Sequence, residues 1–337
     1  MKLFRNIVRV CLLFQVGLLA GCLHHPLHRP ARAPGALPNG FEEDHVRPHT
    51  APKVLVEHEV KTRDEYRISE LELEPAKPGG RKVKLTHFAP THLTRPAPAI
   101  VVLPIMGGQT YPLENFFAEG FAHHGFHAVV VHRPNLKEEI HDLEDIDGLL
   151  RESLSDTRRI VDWLENQPQV DPKRLGLFGI SLGAIRGVMI LGMEPRFRAG
   201  VLGLPGGDLA YILTHSEDKN IKKERARILD RNSLSIKDAE EKLRESITCE
   251  PLAFAPAIDP SRVLLVIAAF DHVVPARKGW ELRRKLGNPR TIQLCGGHYT
   301  SVVHVPYLRG VSARFLAEKL GEPESRHVHF EHRIPWE

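Results

Sequence analysis

Apolar and polar residues alternate over Val54–Val60 (VLVEHEV) and Tyr66–Leu73 (YRISELEL). A period of two puts the apolar side chains on one face, which predicts two half-buried antiparallel strands. Pro78-Gly79-Gly80 is a turn, and Lys82–Phe88 is a third strand. The pattern then changes. Ala99–Leu103 (AIVVL) and His127–Val131 (HAVVV) are continuous apolar runs, as expected of strands covered on both faces of a parallel sheet. Between them Leu113–His124 has helical spacing. Over Asp145–Asn166, Ile146, Leu149, Leu150, Leu154, Thr157, Ile160, Val161 and Leu164 recur on one helical face. Strand Arg174–Phe178, helix Leu182–Met193 and strand Ala199–Leu202 come next. After residues 205–256 the series resumes with strand Val263–Ala268, helix Ala276–Leu286, strand Thr291–Leu294 and helix Leu308–Leu320. Alternating β and α of this kind predicts an α/β fold, a doubly wound and mostly parallel sheet with antiparallel strands at its N-terminal side.

Residues 205–256 contain a charge-dense helical stretch, Lys219–Glu245, which reads as a solvated face. Its place between two core strands sets it over the carboxyl ends of the sheet, where open α/β sheets bind ligands. The segment is read as a small helical cap. Residues 22–53 are rich in Pro, His and Arg and show no period, so they read as an extended tether. His24, His25 and His28 have no Cys, Asp or Glu at ligand spacing and read as tether histidines. Residues 321–337 form a short tail.

Composition removes several classes. Hydrophobic residues make up 42% of the 337, too many for a disordered chain. Lys and Arg number 46 against 42 Asp and Glu. Lys2, Arg5 and Arg9 lie in a segment expected to be removed; without them the balance is 43 to 42. That is no footprint for nucleic acid. Four cysteines do not make a disulfide scaffold. No zinc-ligand spacing, P-loop or dinucleotide glycine motif is present, so neither metal nor cofactor is expected.

The N-terminus reads as an address. Residues 1–9 are basic and residues 10–20 form an apolar run of 11, short of the ~18 residues of a spanning helix. The run ends in Leu19-Ala20-Gly21-Cys22, which resembles the lipobox of bacterial lipoproteins. The resemblance implies a signal peptide over 1–21 and a lipid on Cys22. Acyl chains at ~0.8 kcal/mol per buried CH₂ would then hold the domain at a membrane. Leu23 after the cysteine favours the outer membrane, facing the periplasm.

The chemistry centres on Gly179-Ile180-Ser181-Leu182-Gly183, the sole G-x-S-x-G in the chain. At average glycine usage ~0.1 such matches arise by chance in this length. The motif comes directly after a predicted strand and opens a predicted helix, the setting of a nucleophile elbow. A serine hydroxyl needs a base, and the base needs an orienting acid. Asp271 lies just past the strand ending near Phe270, and Asp208 is an alternative acid. His298 lies just past Cys295-Gly296-Gly297 in the loop after the last strand, and His304 is an alternative base. His272 reads as a neighbour of the acid, and Arg186 as a surface or helix-packing residue rather than a carboxylate binder.

With these residues in order, positions 54–320 resemble the α/β-hydrolase superfamily. Asp271-His272-Val273-Val274-Pro275 and Gly296-Gly297-His298 are similar to its serine esterases, acyl thioesterases and dienelactone-hydrolase-like members. The resemblance implies Ser181 as nucleophile, His298 as base and Asp271 as acid. Dienelactone hydrolases proper use cysteine, so Ser181 argues against that activity. The oxyanion donors implied are the amides of Leu182 and of Met106, with Ile105 as the alternative, in the loop Pro104-Ile105-Met106-Gly107-Gly108. Many members carry His-Gly where this chain has Pro104-Ile105, which points to a narrower or more apolar acyl pocket. Cys249 and Cys295 are open to disulfide formation in an oxidising compartment.

The expected activity is hydrolysis of an ester or thioester through an acyl-enzyme, on a small-molecule or lipid-like acyl substrate. The alternatives are an acyltransferase or peptidase of the same fold, or an envelope lipoprotein that keeps the fold without turnover.

Overall fold

The computed structural model describes residues 23–26, 35–41, 50–75, 79–107, 109–133 and 140–323. Its centre is one ten-stranded sheet: β1 (Leu23–His25), β2 (Val54–Thr62), β3 (Tyr66–Leu73), β4 (Val83–Pro90), β5 (Ala97–Leu103), β6 (His127–Val131), β7 (Val170–Ile180), β8 (Phe197–Gly203), β9 (Val263–Ala268) and β10 (Arg290–Leu294). The spatial order is β1-β10-β9-β8-β7-β5-β6-β4-β3-β2. The six strands from β10 to β6 run parallel, while β1, β4, β3 and β2 join antiparallel. The chain has the α/β-hydrolase fold.

Alternation along β5 shows how the sheet is sandwiched. Ala99, Val101 and Leu103 pack with α2 (Asp145–Leu164) and α3 (Leu182–Met193) on one face. Ile100 and Val102 pack with α1 (Pro112–His123) and α9 (Val305–Leu320) on the other. All seven β5 residues are buried, which is why the sequence there has no polar position.

Four helices separate β8 from β9: α4 (Leu209–His215), α5 (Lys219–Asn232), α6 (Ile236–Ser246) and α7 (Pro251–Phe254). The single charged run expected over 219–245 is two helices. Ser233 turns left-handed at φ 52°, and Ser235 with Asp238 forms a capping box that starts α6. Helix α8 (Ala276–Lys285) links β9 to β10. Among the described residues no helix is long and apolar enough to cross a membrane.

Three local readings differ. β2 is exposed along its whole length rather than half-buried, because it is the last strand of the sheet with no layer over it. Leu23–His25, read as tether, adds an antiparallel strand to β10, whose edge amides and carbonyls need partners. His24 and His25 are drawn in with it, to the Tyr307 hydroxyl at 3.2 Å and the Gln293 side chain at 3.1 Å; burial lowers the His24 pKa, with His25 adding to it. Phe41, 1% exposed, docks edge-on against Phe254, so the segment touches the domain at a second point. His28 and Cys22 lie outside the described residues.

Candidate active site

β7 ends at Ile180 and α3 begins at Leu182, leaving Ser181 alone to reverse the chain at φ 55° and ψ −121°. An L-residue is held in that region only when its surroundings overdetermine it. Here the Ser181 amide donates to the Gly203 carbonyl at 2.8 Å, and its own carbonyl accepts from Ile185 at 2.9 Å. The flanking glycines allow the close approach. A Cβ on Gly179 would stand 2.5 Å from the Gly183 carbonyl group, and one on Gly183 would stand 2.6 Å from the Leu103 carbonyl oxygen. The turn therefore projects the hydroxyl above the centre of the sheet.

Asp271 lies just past β9 and is 5% exposed. Its Oδ1 accepts the amides of Val273 and Val274, both at 2.9 Å. This fixes the carboxylate and leaves Oδ2 to accept the His298 Nδ1–H at 2.7 Å. With Nδ1 carrying that proton, Nε2 is an acceptor, and it stands 3.0 Å from Ser181 Oγ. The histidine loop is itself braced: Gly297 donates to Thr300 Oγ1 at 2.8 Å, and its carbonyl accepts Ser301 Oγ at 2.7 Å. Three side chains from three strand ends thus form one continuous hydrogen-bonded line.

The other candidates stand elsewhere. Asp208 caps α4 and pairs with Lys278 at 2.6 Å and Arg244 at 2.7 Å. Burial opposes its ionisation, but the bonds from Arg244 and Lys278 outweigh it and keep the carboxyl below its usual range. His304 is buried in the turn that precedes α9. His272 accepts the Glu217 amide at its backbone carbonyl. Cys249 is buried and Cys295 exposed, with no disulfide between them.

Leu182 is the first residue of α3, so its amide is one of the four that a helix leaves without an internal acceptor. Met106 lines the cavity beside Ser181, and among the described residues its amide has no acceptor. The Ile105 amide is already committed, donating to Glu114 Oε1 at 2.7 Å. This Glu114 lock is invisible in the sequence; its one trace is an acidic residue in the first turn of α1. Burial raises the Glu114 pKa, and among the described residues the second carboxylate oxygen has no partner. Two arginines hold the same loop by its carbonyls. Arg133 Nε donates to Ile105 O at 3.0 Å, and Arg186 to Pro104 O at 3.2 Å. Arg186 is 6% exposed, and burial, reinforced by nearby Arg133, brings its pKa down to about 10. It supports the loop from below.

The Tyr299 hydroxyl, next to His298, donates to Asp218, the residue that caps α5. Burial and then Asp218 itself push the phenol up to about 12. The helices between β8 and β9 are so joined to the histidine loop. The cavity at Ser181 has a volume of about 190 Å³.

Among solved structures, an acetyl xylan esterase from Paenibacillus sp. R4 is similar over 86% of this chain and 97% of its own, at 16% identity and TM-score 0.65. Acetyl xylan esterase 1 from Thermoanaerobacterium sp. JW/SL YS485 covers 86% and 95%, at 17% identity and TM-score 0.58. A puromycin-hydrolysing peptidase of Mycobacterium tuberculosis covers 78% of this chain and 41% of its own, at 19% identity and TM-score 0.57. At these identities the likeness is one of fold. No curated protein matches. The family model Peptidase_S9, the prolyl oligopeptidase family, matches residues 120–293, just over half of the chain, a span that includes Ser181 and Asp271 and stops short of His298. The chain belongs to the prolyl oligopeptidase family and is a serine hydrolase of the α/β-hydrolase fold.

Proposed function

We propose that the protein hydrolyses a carboxylic ester or thioester through an acyl-enzyme on Ser181. The observation that carries this is the unbroken line from Asp271 through His298 to a serine held in a strained elbow. His298 Nε2 takes the hydroxyl proton as Ser181 Oγ attacks the carbonyl carbon, and Asp271 stabilises the imidazolium. The carbonyl oxygen becomes an oxyanion that accepts from the Leu182 and Met106 amides. Collapse breaks the bond to the leaving group, which departs with the proton from His298. Water then gives a proton to His298 and attacks the acyl carbonyl, and as the acyl–Oγ bond breaks His298 returns that proton to Ser181 Oγ and the acid leaves.

The apolar approach to Ser181 supports the ester reading, and the family match supports peptide hydrolysis as a second reading. A fluorophosphonate probe should label Ser181, and Ser181→Ala should lose both the label and ~10⁴-fold or more of turnover. Retained wild-type turnover in Ser181→Ala overturns the reading.

Residues 205–256 act in this reading as a cap, joined to the site through Asp218 and Tyr299. The same reading places the domain in a bacterial envelope, anchored through a lipid on Cys22. Metabolic incorporation of labelled palmitate, lost in Cys22→Ala, tests that anchor.

A further inference from the structure

The cavity beside Ser181 is bounded below by Val266 and Leu294 and on one side by Val305 and Leu308. Among the described residues, beyond Ser181 and His298, only Tyr299 and Ser301 bring polar side-chain atoms to its wall. Both hydroxyls are spent on the protein, Tyr299 on Asp218 and Ser301 on the Gly297 carbonyl. Besides the catalytic pair, the lining therefore offers a ligand no charge and no uncommitted side-chain donor. Among the described residues the lining brings no carboxylate to hold an amino terminus, and no polar array to hold a sugar ring. The mouth carries large apolar side chains in water. Met106 is 37% exposed, Tyr299 64% and Val302 63%. Exposed apolar groups gathered at one opening mark a place where an apolar ligand lies.

Resting on the serine-hydrolase reading, we infer that this cavity is an acyl-chain site, and that the substrate is an ester or thioester of a straight, uncharged acyl group of medium length. At ~27 Å³ per methylene packed to protein density, 190 Å³ takes roughly six to eight carbons. A shorter acyl group leaves apolar wall uncovered. A longer one runs out over Met106 and Val302 and gains little. Each methylene buried in the transition state raises kcat/KM by about four-fold.

The test is a series of p-nitrophenyl esters from acetyl to dodecanoyl, with a dipeptidyl p-nitroanilide bearing a free amino terminus as the peptide probe. The expected profile climbs about four-fold per carbon to the hexanoyl or octanoyl ester and then levels or falls, with the anilide far below. Val305→Phe, at a half-buried wall position, should lower the octanoyl-to-butyryl ratio of kcat/KM by about ten-fold or more. Val302→Asp, at the exposed rim, should lower the same ratio without demanding any repacking of the interior. A flat profile, an acetyl optimum, a preferred anilide, or ratios unmoved in both variants overturns the inference. If the esters are cleaved only while Ser181 is present, those results leave the serine-hydrolase reading standing. Absence of turnover together with absence of fluorophosphonate labelling overturns both.

Discussion

Lowering the pH should destabilise this protein through one buried imidazole in particular. His127 opens β6, is 2% exposed, and donates from Nε2 to the Gln169 carbonyl at 3.0 Å. That bond makes Nδ1 the acceptor, and it receives the His87 Nε2–H at 3.0 Å. A proton added at His127 Nδ1 would be set against that donor, in a place without water. Burial brings the His127 pKa from 6.5 down to about 4. An unfolded chain binds this proton more readily than the folded one. The stability tied to His127 is therefore complete above pH 6.5 and is lost as the pH falls towards 4. At ~1.4 kcal/mol per pH unit the whole effect is about 3 kcal/mol, of which about 2 kcal/mol is gone by pH 5. His127→Gln preserves one donor for Gln169 and one acceptor for His87 but carries no ionisable group. Urea unfolding at pH 7.5, 6.5, 5.5 and 5.0 should show the parent losing about 2 kcal/mol more than the variant over that range. Parallel stability curves for the two proteins would refute the reasoning, because the other titrating groups are present in both, and His87 is held well below 6.5 first by its own burial and only then by His127.

Glu114→Ala should free the Ile105 amide and leave the loop that presents Met106 without its acceptor. Leaving such a group unpaired costs about 1–3 kcal/mol, so kcat on a short ester should fall ~10–100-fold with KM little changed, and Glu114→Gln should restore most of it. Gly183→Ala drives a Cβ to within 2.6 Å of the Leu103 carbonyl oxygen, and rigid backbone on both sides has nowhere to move. It should lower stability by about 2–4 kcal/mol and turnover with it, whereas Gly148→Ala, exposed on α2 with open space around it, should add about 0.5–1 kcal/mol, both measured by chemical denaturation. Tyr299→Phe removes a half-buried bond while Asp218 still caps α5. Global stability should change by under ~1 kcal/mol, and amide exchange at Glu217–Ile221 should quicken.

Much of the frame was legible because it arises from short-range rules. The apolar runs at Ala99–Leu103, His127–Val131 and Val263–Ala268 can only be strands covered on both faces, and the structure buries every one of those residues. G-x-S-x-G was legible because its spacing encodes a backbone conflict, seen in how near Gly179 and Gly183 stand to neighbouring backbone. β7 extends four residues earlier than its apolar run predicts, since Asp171, Pro172 and Lys173 continue the strand beyond the part that helices cover. The buried charges of α2 were hidden too. Arg158 reaches Glu194 at 3.2 Å, and Arg196 gathers Glu194, Asp162 and Glu165. Apart from Glu194, two positions from Arg196, these partners stand more than thirty positions apart, and no local pattern announces them.

The same distinction runs through the site. A side chain that acts from a strand end can be found by inspecting the first loop residues after each strand, and Ser181, Asp271 and His298 all lie there. The groups that hold the oxyanion loop do not, because they act on backbone atoms from a distance. Glu114 takes an amide nine positions away, and Arg133 and Arg186 take carbonyls 28 and 82 positions away. Their effect is to fix the backbone of this loop, with the Ile105 amide committed to Glu114 and the Ile105 and Pro104 carbonyls to the arginines. With Ile105 turned to Glu114, the loop presents Met106, and the exposed thioether side chain lies at the mouth of the cavity. One buried carboxylate thereby joins two otherwise separate properties, the geometry available to an oxyanion and the apolar character of the entrance. A chain with a different residue at position 114 could keep all three strand-end side chains in place and still present the wrong amide to the substrate.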